Sequence, residues 1–374
     1  MTAQPYGLEG IVAADTVMSD VDAANGRLIL RGRPLDAVAG AWTAEEMAVH
    51  LWRGFLPMAE DPTALRAALG AARGRAFARL DRLLPAAAEL APVDGLRLLM
   101  AGLEVDEDDP APAATVVGAL PVFVAALGRA ARGLDPVAPD PERGVAADLL
   151  AMLDGEAPSD DRAAALDTYL VTVADHGLNA STFTARVVAS TRADLLDALT
   201  AALGALKGPL HGGAPGPVLD MLDAIGRPEA ARAAIADRLA SGERLMGFGH
   251  RVYRGRDPRA DALRKALLAL GSPRLALAGA VEREALAALA RHKPDRPLDT
   301  NVEYYTALLL EAIGVPRALF TPVFAVGRAV GWAAHVMEQQ AGGRLIRPAS
   351  RYVGPAPGHA AAGAERERET AFGG

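Results

Sequence analysis

From residue 43 onward, apolar positions recur three and four apart, the spacing of amphipathic and buried helices. Thr43-Ala-Glu-Glu46 has capping-box spacing ahead of an apolar run, and Asp61-Pro62 opens a further helix with proline suited to its first position. The pattern predicts helices near 62–74, 92–104, 113–132, 144–153, 160–175, 181–190 and 193–206. Further windows fall near 216–224, 228–240, 258–269, 275–291, 302–313 and 321–340. The exception lies at the front, where Gly26-Arg-Leu-Ile-Leu-Arg-Gly-Arg-Pro-Leu35 follows the hairpin signal Asn25-Gly26 and reads as a small β element. Strand and helix do not alternate between residues 40 and 340, so the fold class is all-α. The stretches 104–110 and 133–143 read as surface connections, and the Pro-, Gly- and Ala-rich tail from Gly354 is expected to fray.

Composition narrows the class of partner. The chain has 374 residues, 51% of them hydrophobic, with a net charge of −7. That balance argues against nucleic acid, whose binders need a basic excess. With no cysteine, disulfides, thiol nucleophiles and thiolate metal sites are excluded. The opening Met-Thr-Ala-Gln-Pro-Tyr lacks the basic and apolar regions of a signal peptide, which implies a cytoplasmic protein. Residues 111–128 carry no charge and approach the roughly 20 apolar residues of a membrane span. Pro112 and Pro121 and the wealth of alanine and glycine favour instead a buried central helix.

Chemistry-bearing residues gather in five segments. Gly247-Phe-Gly-His-Arg-Val-Tyr-Arg-Gly-Arg-Asp-Pro-Arg-Ala260 sets His250 between glycines and four arginines. Glycines admit a ligand close to the backbone, histidine exchanges protons near neutrality, and guanidinium forks clamp carboxylates or phosphates. In Ala174-Asp-His-Gly-Leu-Asn-Ala-Ser-Thr182, His176 is either a helix C-cap or a ligand contact, and Ser181-Thr182 can cap the next helix. Lys207-Gly-Pro-Leu-His-Gly-Gly-Ala-Pro-Gly216 brings His211 near a helix N-terminus, where the dipole favours neutral imidazole; it is also readable as a plain turn. In Leu298-Asp-Thr-Asn-Val-Glu303, Thr300 or Asn301 caps a helix and puts Glu303 in its first turn, where a carboxylate is stabilising in any case. Arg328 lies on an apolar helix and must find an anion or an internal carboxylate; Arg347-Pro348 ends an apolar, strand-like segment. No His-x-x-x-His pair, Walker loop or dinucleotide fingerprint occurs, so no metal or cofactor is expected.

In this order, His176-Gly-Leu-Asn-Ala-Ser, Gly208-Pro-Leu-His-Gly-Gly-Ala, Gly247-Phe-Gly-His-Arg-Val-Tyr with Asp257-Pro-Arg-Ala, Asn301-Val-Glu and Arg347-Pro resemble the citrate synthase family, over roughly residues 6–354. The resemblance implies a helical homodimer with a large domain (1–212 and 316–374) and a smaller one (213–315) that closes over the site. It implies condensation of acetyl-CoA, a co-substrate, with oxaloacetate, or of propionyl-CoA in the 2-methylcitrate synthases. It further implies His211 on the thioester oxygen, His250 on the oxaloacetate carbonyl and Glu303 as the base. His176, Arg259 and Arg328 would hold the oxaloacetate carboxylates, with Arg347 reaching in from the partner subunit. Gly247, Phe248, Gly249, Arg254 and Asn301 would lie along CoA. Long members inhibited by NADH carry an extra N-terminal region for which this chain has little room, so NADH control is not expected.

One position departs from the family pattern. The usual Asn-Val-Asp is here Asn301-Val-Glu303, one methylene longer. Catalysis holds reacting atoms at about 3–3.5 Å, so the change bears on rate or on acyl preference unless the backbone compensates. Asp299 falls outside the motif register and is no substitute. The completeness of the remaining polar positions favours an active enzyme over a silent acyl-CoA-binding homologue.

Overall fold

The computed structural model describes residues 7, 8, 10–106, 108–212, 215–250, 253, 255–293 and 298–354. Arg254 and most of the C-terminal tail therefore lie outside the described residues. A three-stranded antiparallel sheet opens the chain: β1 (Ser19–Asp22), β2 (Arg27–Leu30) and β3 (Arg33–Pro34), in that order. The β1–β2 turn spans four residues, and only Gly26 takes the left-handed conformation (φ 61°), so the Asn25-Gly26 signal produces a longer loop than a two-residue hairpin.

Helices follow: α1 (Leu35–Val38), α2 (Ala44–Trp52), α3 (Pro62–Phe77), α4 (Leu80–Ala88), α5 (Pro92–Ala101) and α6 (Pro112–Ala130). Then come α7 (Val145–Asp154), α8 (Asp160–Val173), α9 (Ala180–Ala189), α10 (Leu195–Leu206), α11 (Pro215–Ile225) and α12 (Ala231–Ala240). The last four are α13 (Pro258–Ala269), α14 (Leu275–His292), α15 (Val302–Ala312) and α16 (Phe320–Gly342). The Thr43/Glu46 capping box forms as the spacing predicts, and Asp61 caps α3.

Three expectations are corrected. No window anticipates α4, because Pro85 lies inside it and reads as a breaker. The cap of α9 is Asn179, whose side chain accepts from the Thr182 N–H, and Ser181 and Thr182 lie inside the helix. The segment before Arg347 is not a strand. It runs exposed and irregular, tied by the Ile346 N–H to Ser190 Oγ at 3.0 Å.

Helices α6 and α16 form the centre. The α6 helix packs on α3, α5, α7 and α16, and α16 also meets α2, α8, α9 and α10. Both are long and apolar enough to cross a membrane, yet 89% of each qualifying window is buried within the protein. Glycine lets α16 lie close to the end of α8: a Cβ at Gly331 would sit 2.1 Å from the Ala174 carbonyl oxygen. This contact fixes the main chain immediately before His176. A second group packs α13 and α11 on α15 and α12 on α14, and α13 and α15 also touch α8.

Candidate active site

The 247–257 loop and the start of α15 are stitched together by backbone hydrogen bonds. Gly247 and Gly249 have φ of 85° and 86°, and a Cβ at Gly247 would stand 2.7 Å from the Tyr304 ring. The Gly249 N–H donates to Asp299 O (2.7 Å), the Asn301 N–H donates to Gly247 O (3.0 Å), and Phe248 forms an antiparallel bridge with Thr300. Asn301 does two further jobs: Nδ2 donates to Gly249 O (2.8 Å), and Oδ1 caps α15 by accepting from the Glu303 N–H (3.0 Å). Asp257 joins two helix N-termini. It caps α13 through the Arg259 N–H (3.0 Å), accepts from the Val302 N–H (3.2 Å), and receives the Arg259 guanidinium on both oxygens (3.0 and 2.8 Å). Burial opposes its ionisation, but Arg259 and these donors hold its carboxyl below the ordinary value.

Beside this junction stand three aromatic rings. His176 lies 5.6 Å from His250 and 5.5 Å from Tyr253, centroid to centroid, and His250 lies 4.9 Å from Tyr253. The Tyr253 N–H donates to His250 Nδ1 at 3.0 Å, so the neutral ring carries its proton on Nε2. That nitrogen lies 3.2 Å from Arg259 Nη2. With Nδ1 as the acceptor, Nε2 and Nη2 are both donors, and an acceptor oxygen placed beside them would satisfy both. Burial, then Arg259, pushes His250 down to about 4; burial with Arg259, Arg328 and His250 pushes His176 well below 6.5. Both are uncharged at neutral pH.

His211 completes the histidine set. Its Nε2 lies 2.7 Å from Ser181 Oγ, which also takes the Trp332 indole N–H (3.1 Å) and stands 2.8 Å from Asn179 Oδ1. Burial, then Arg328 and Arg259, pushes His211 down to about 4, so it too is neutral. The Phe324 ring stands between His211 (6.4 Å) and the Arg328 guanidinium (4.9 Å).

Arg328 is 1% exposed, and its one hydrogen bond among the described residues is from Nε to the Val173 carbonyl at 2.6 Å. Among the described residues no carboxylate forms an ion pair with it. The nearby Asp175 is taken up by Ser19 (2.5 Å) and His335 (3.2 Å). Burial pulls Arg328 down to about 10, the mark of a cation short of counter-charge. Asp175 acts on Arg328 through its field without a direct contact, so among the described residues the guanidinium keeps donors that an external anion would fill. Glu303 is the converse case: burial pushes its carboxyl up to about 7 against the pull of Arg259, and the carboxylate takes no hydrogen bond among the described residues. An acid that titrates near neutrality with unengaged oxygens is equipped for proton abstraction.

The structure thus brings His176, His211, His250, Arg259, Arg328 and Glu303 together through shared contacts and fields, with Gly247, Phe248, Gly249 and Asn301 along one edge. It does not bring in Arg347, which is exposed and makes no hydrogen bond or ion pair among the described residues. Arg256 is structural, pairing with Asp261 (2.6 Å) and Glu282 (3.1 Å). Sequence reasoning missed Ser181, Tyr253, Asp257, Phe324 and Trp332 as site residues. Only Asp257 left a usable trace, the Asp-Pro pair of an N-cap.

Comparison with known proteins identifies the family. Residues 7–349 match the family model "Citrate synthase, C-terminal domain". The chain is 41% identical to a putative citrate synthase 2 of Mycobacterium tuberculosis, over 94% of this chain and 93% of that one. It is 39% identical to a 2-methylcitrate synthase of the same organism, over 93% and 90%. The citrate synthase of Thermoplasma acidophilum, solved as a ternary complex with carboxymethyl coenzyme A and oxaloacetate, superposes with a TM-score of 0.83 at 28% identity, covering 96% of this chain and 98% of that one. The chain belongs to the citrate synthase family.

Proposed function

We propose that the enzyme condenses acetyl-CoA with oxaloacetate and hydrolyses the resulting citryl-CoA to citrate and CoA. Glu303 would take the α-proton of the thioester while His211 donates a hydrogen bond to the thioester oxygen, so that no free carbanion forms. The enol carbon would then attack the oxaloacetate carbonyl, with His250 Nε2–H protonating the oxygen as the carbon–carbon bond closes. His176, Arg259 and Arg328 would hold the carboxylates, and Arg347 would enter from the second subunit of a homodimer. Gly247, Phe248, Gly249, Asn301 and Arg254 would line the CoA path. Residues 213–315 would form the smaller domain, closing on the larger one and excluding water. We read the enzyme as cytoplasmic, its two long apolar helices being interior.

The observation that carries this reading is the buried, carboxylate-free Arg328 beside two uncharged histidines and an unengaged Glu303. Its test is thiol release from oxaloacetate with acetyl-CoA or propionyl-CoA, for the wild type, Glu303→Gln and Glu303→Asp. Release by the wild type and a loss of about 100-fold or more in Glu303→Gln are expected. No release with either thioester sinks the synthase reading, and full activity in Glu303→Gln sinks the base assignment. Propionyl-CoA is included because the 39% identity to a 2-methylcitrate synthase nearly equals the 41% to a putative citrate synthase.

A further inference from the structure

Ser19 stands on β1 in the N-terminal sheet, yet its hydroxyl meets both chain neighbours of His176. Oγ lies 2.5 Å from Asp175 Oδ2, and the Gly177 N–H donates to Oγ at 2.9 Å. A ring of hydrogen bonds thereby closes around His176, running from the Asp175 side chain through the Ser19 hydroxyl to the Gly177 amide. Gly177 holds the turn in the left-handed conformation (φ 60°), and a Cβ there would stand 3.4 Å from Val21 Cγ2. The β1 strand therefore packs on this turn at a second point.

Asp175 is itself anchored from its other side. It is 0% exposed, and His335 Nε2 lies 3.2 Å from Oδ1 and 3.3 Å from Oδ2. The other ring nitrogen, Nδ1, lies 2.9 Å from Arg186 Nη1. A guanidinium has donors only, so Nδ1 accepts and Nε2 carries the proton given to Asp175. Arg186 is fixed in turn by Glu338 and by Gln339 Oε1 (3.0 Å), and Glu338 accepts the Val17 N–H (2.8 Å), two residues before Ser19. Burial opposes the charge of Asp175, but His335, Ser19 and Arg328 hold its carboxyl below the ordinary value, so it accepts and the Ser19 hydroxyl donates.

We propose that Ser19 is a positioning residue for the oxoacid, clamping the His176 main chain through Asp175 and Gly177 so that the imidazole keeps its place among the groups that bind the oxoacid. The ring needs a hydroxyl, because one group must donate to the carboxylate and accept from the amide at once. An apolar side chain does neither, and an ammonium only donates. Loosening the clamp frees the turn that carries His176 and leaves His211, Glu303 and the CoA edge with their own hydrogen bonds. Its effect should therefore fall on oxaloacetate.

The kinetic part of the test rests on the oxaloacetate reading; the exchange part does not. Ser19→Ala and Ser19→Val remove the hydroxyl, and Ser19→Thr, matched to valine in size, returns it. The alanine and valine variants should raise the KM for oxaloacetate about fivefold or more, lower kcat by less than about threefold and leave the KM for acetyl-CoA unchanged. The threonine variant should restore the wild-type oxaloacetate KM to within about twofold. A serine that merely steadied the fold would shift all three parameters together, or leave threonine no better than valine. Either result overturns the proposal, as does a wild-type oxaloacetate KM in Ser19→Ala. Deuterium uptake by peptides spanning residues 174–179, followed by mass spectrometry, reads the clamp without turnover. Exchange at the Gly177 amide should be about tenfold faster or more in Ser19→Ala than in the wild type, and unchanged exchange overturns the clamp even if the enzyme releases CoA normally. A wild type that releases no CoA with either thioester defeats the oxaloacetate reading alone, and the exchange rates still decide the clamp.

Discussion

At the scale of single residues, Glu303 carries opposite consequences for stability and activity. Its folded-state carboxyl titrates at about 7, above the ordinary 4.5, so the folded protein holds a proton that the unfolded chain releases. The resulting penalty is absent below the unfolded value, grows as pH rises from there to about 7, and is complete above it. Glu303→Gln removes the penalty, and its melting temperature should exceed that of the wild type at pH 8 while matching it near pH 4. Wild-type turnover should rise with pH through about 7 as the base ionises, since the histidines at about 4 are already neutral. A Glu303→Gln variant less stable than the wild type at pH 8 contradicts the burial account. A site residue that destabilises its own fold is the usual signature of function taking precedence over stability.

At the scale of elements, α16 and the end of α8 are locked by the absence of a side chain at Gly331. Restoring a methyl there puts it 2.1 Å from the Ala174 carbonyl, two residues before His176. Gly331→Ala should cost about 1–3 kcal/mol by chemical denaturation and raise the oxaloacetate KM, because the helices must separate at the base of the site. The helices themselves were largely readable from the three-and-four spacing, and glycines, prolines and isolated charges marked His211, His250 and Arg328 as candidates, whereas the roles given to Arg259 and Glu303 came from the family resemblance. What stayed hidden is relational. Ser181 read as a cap because Asn179, two residues earlier, competes for the same role. Tyr253 carried no role in the sequence because its partner His176 lies 77 residues away. The stretch before Arg347 mimicked a strand because local apolarity says nothing about whether a neighbouring strand exists.

For the whole molecule, the exposed Arg347 is the residue the single chain does not use. If it completes the partner's site, each variant of Arg347→Ala and Glu303→Gln alone should be nearly inactive. Dimers reassembled from an equal mixture should regain about a quarter of wild-type activity, since half are mixed and each mixed dimer has one intact site. No recovery on confirmed exchange of subunits places Arg347 outside the site. The two long apolar helices matter at this scale as well. Buried along their length, they make the centre of the molecule a rigid block against which the group containing α13 and α15 is set.

The hydrogen-bonded junction at the start of α15 has a consequence for how such a chain can change over evolutionary time. Asn301, Val302 and Glu303 have their N–H groups held by Gly247 O, Asp257 Oδ2 and Asn301 Oδ1. Arg259 hangs from the same aspartate. Moving the backbone to suit a longer or shorter acid would therefore drag an oxoacid-binding arginine with it. Heritable variation in reach is confined to one side chain, at the third position of Asn301-Val-Glu303, where an exchange of aspartate and glutamate needs only a single nucleotide.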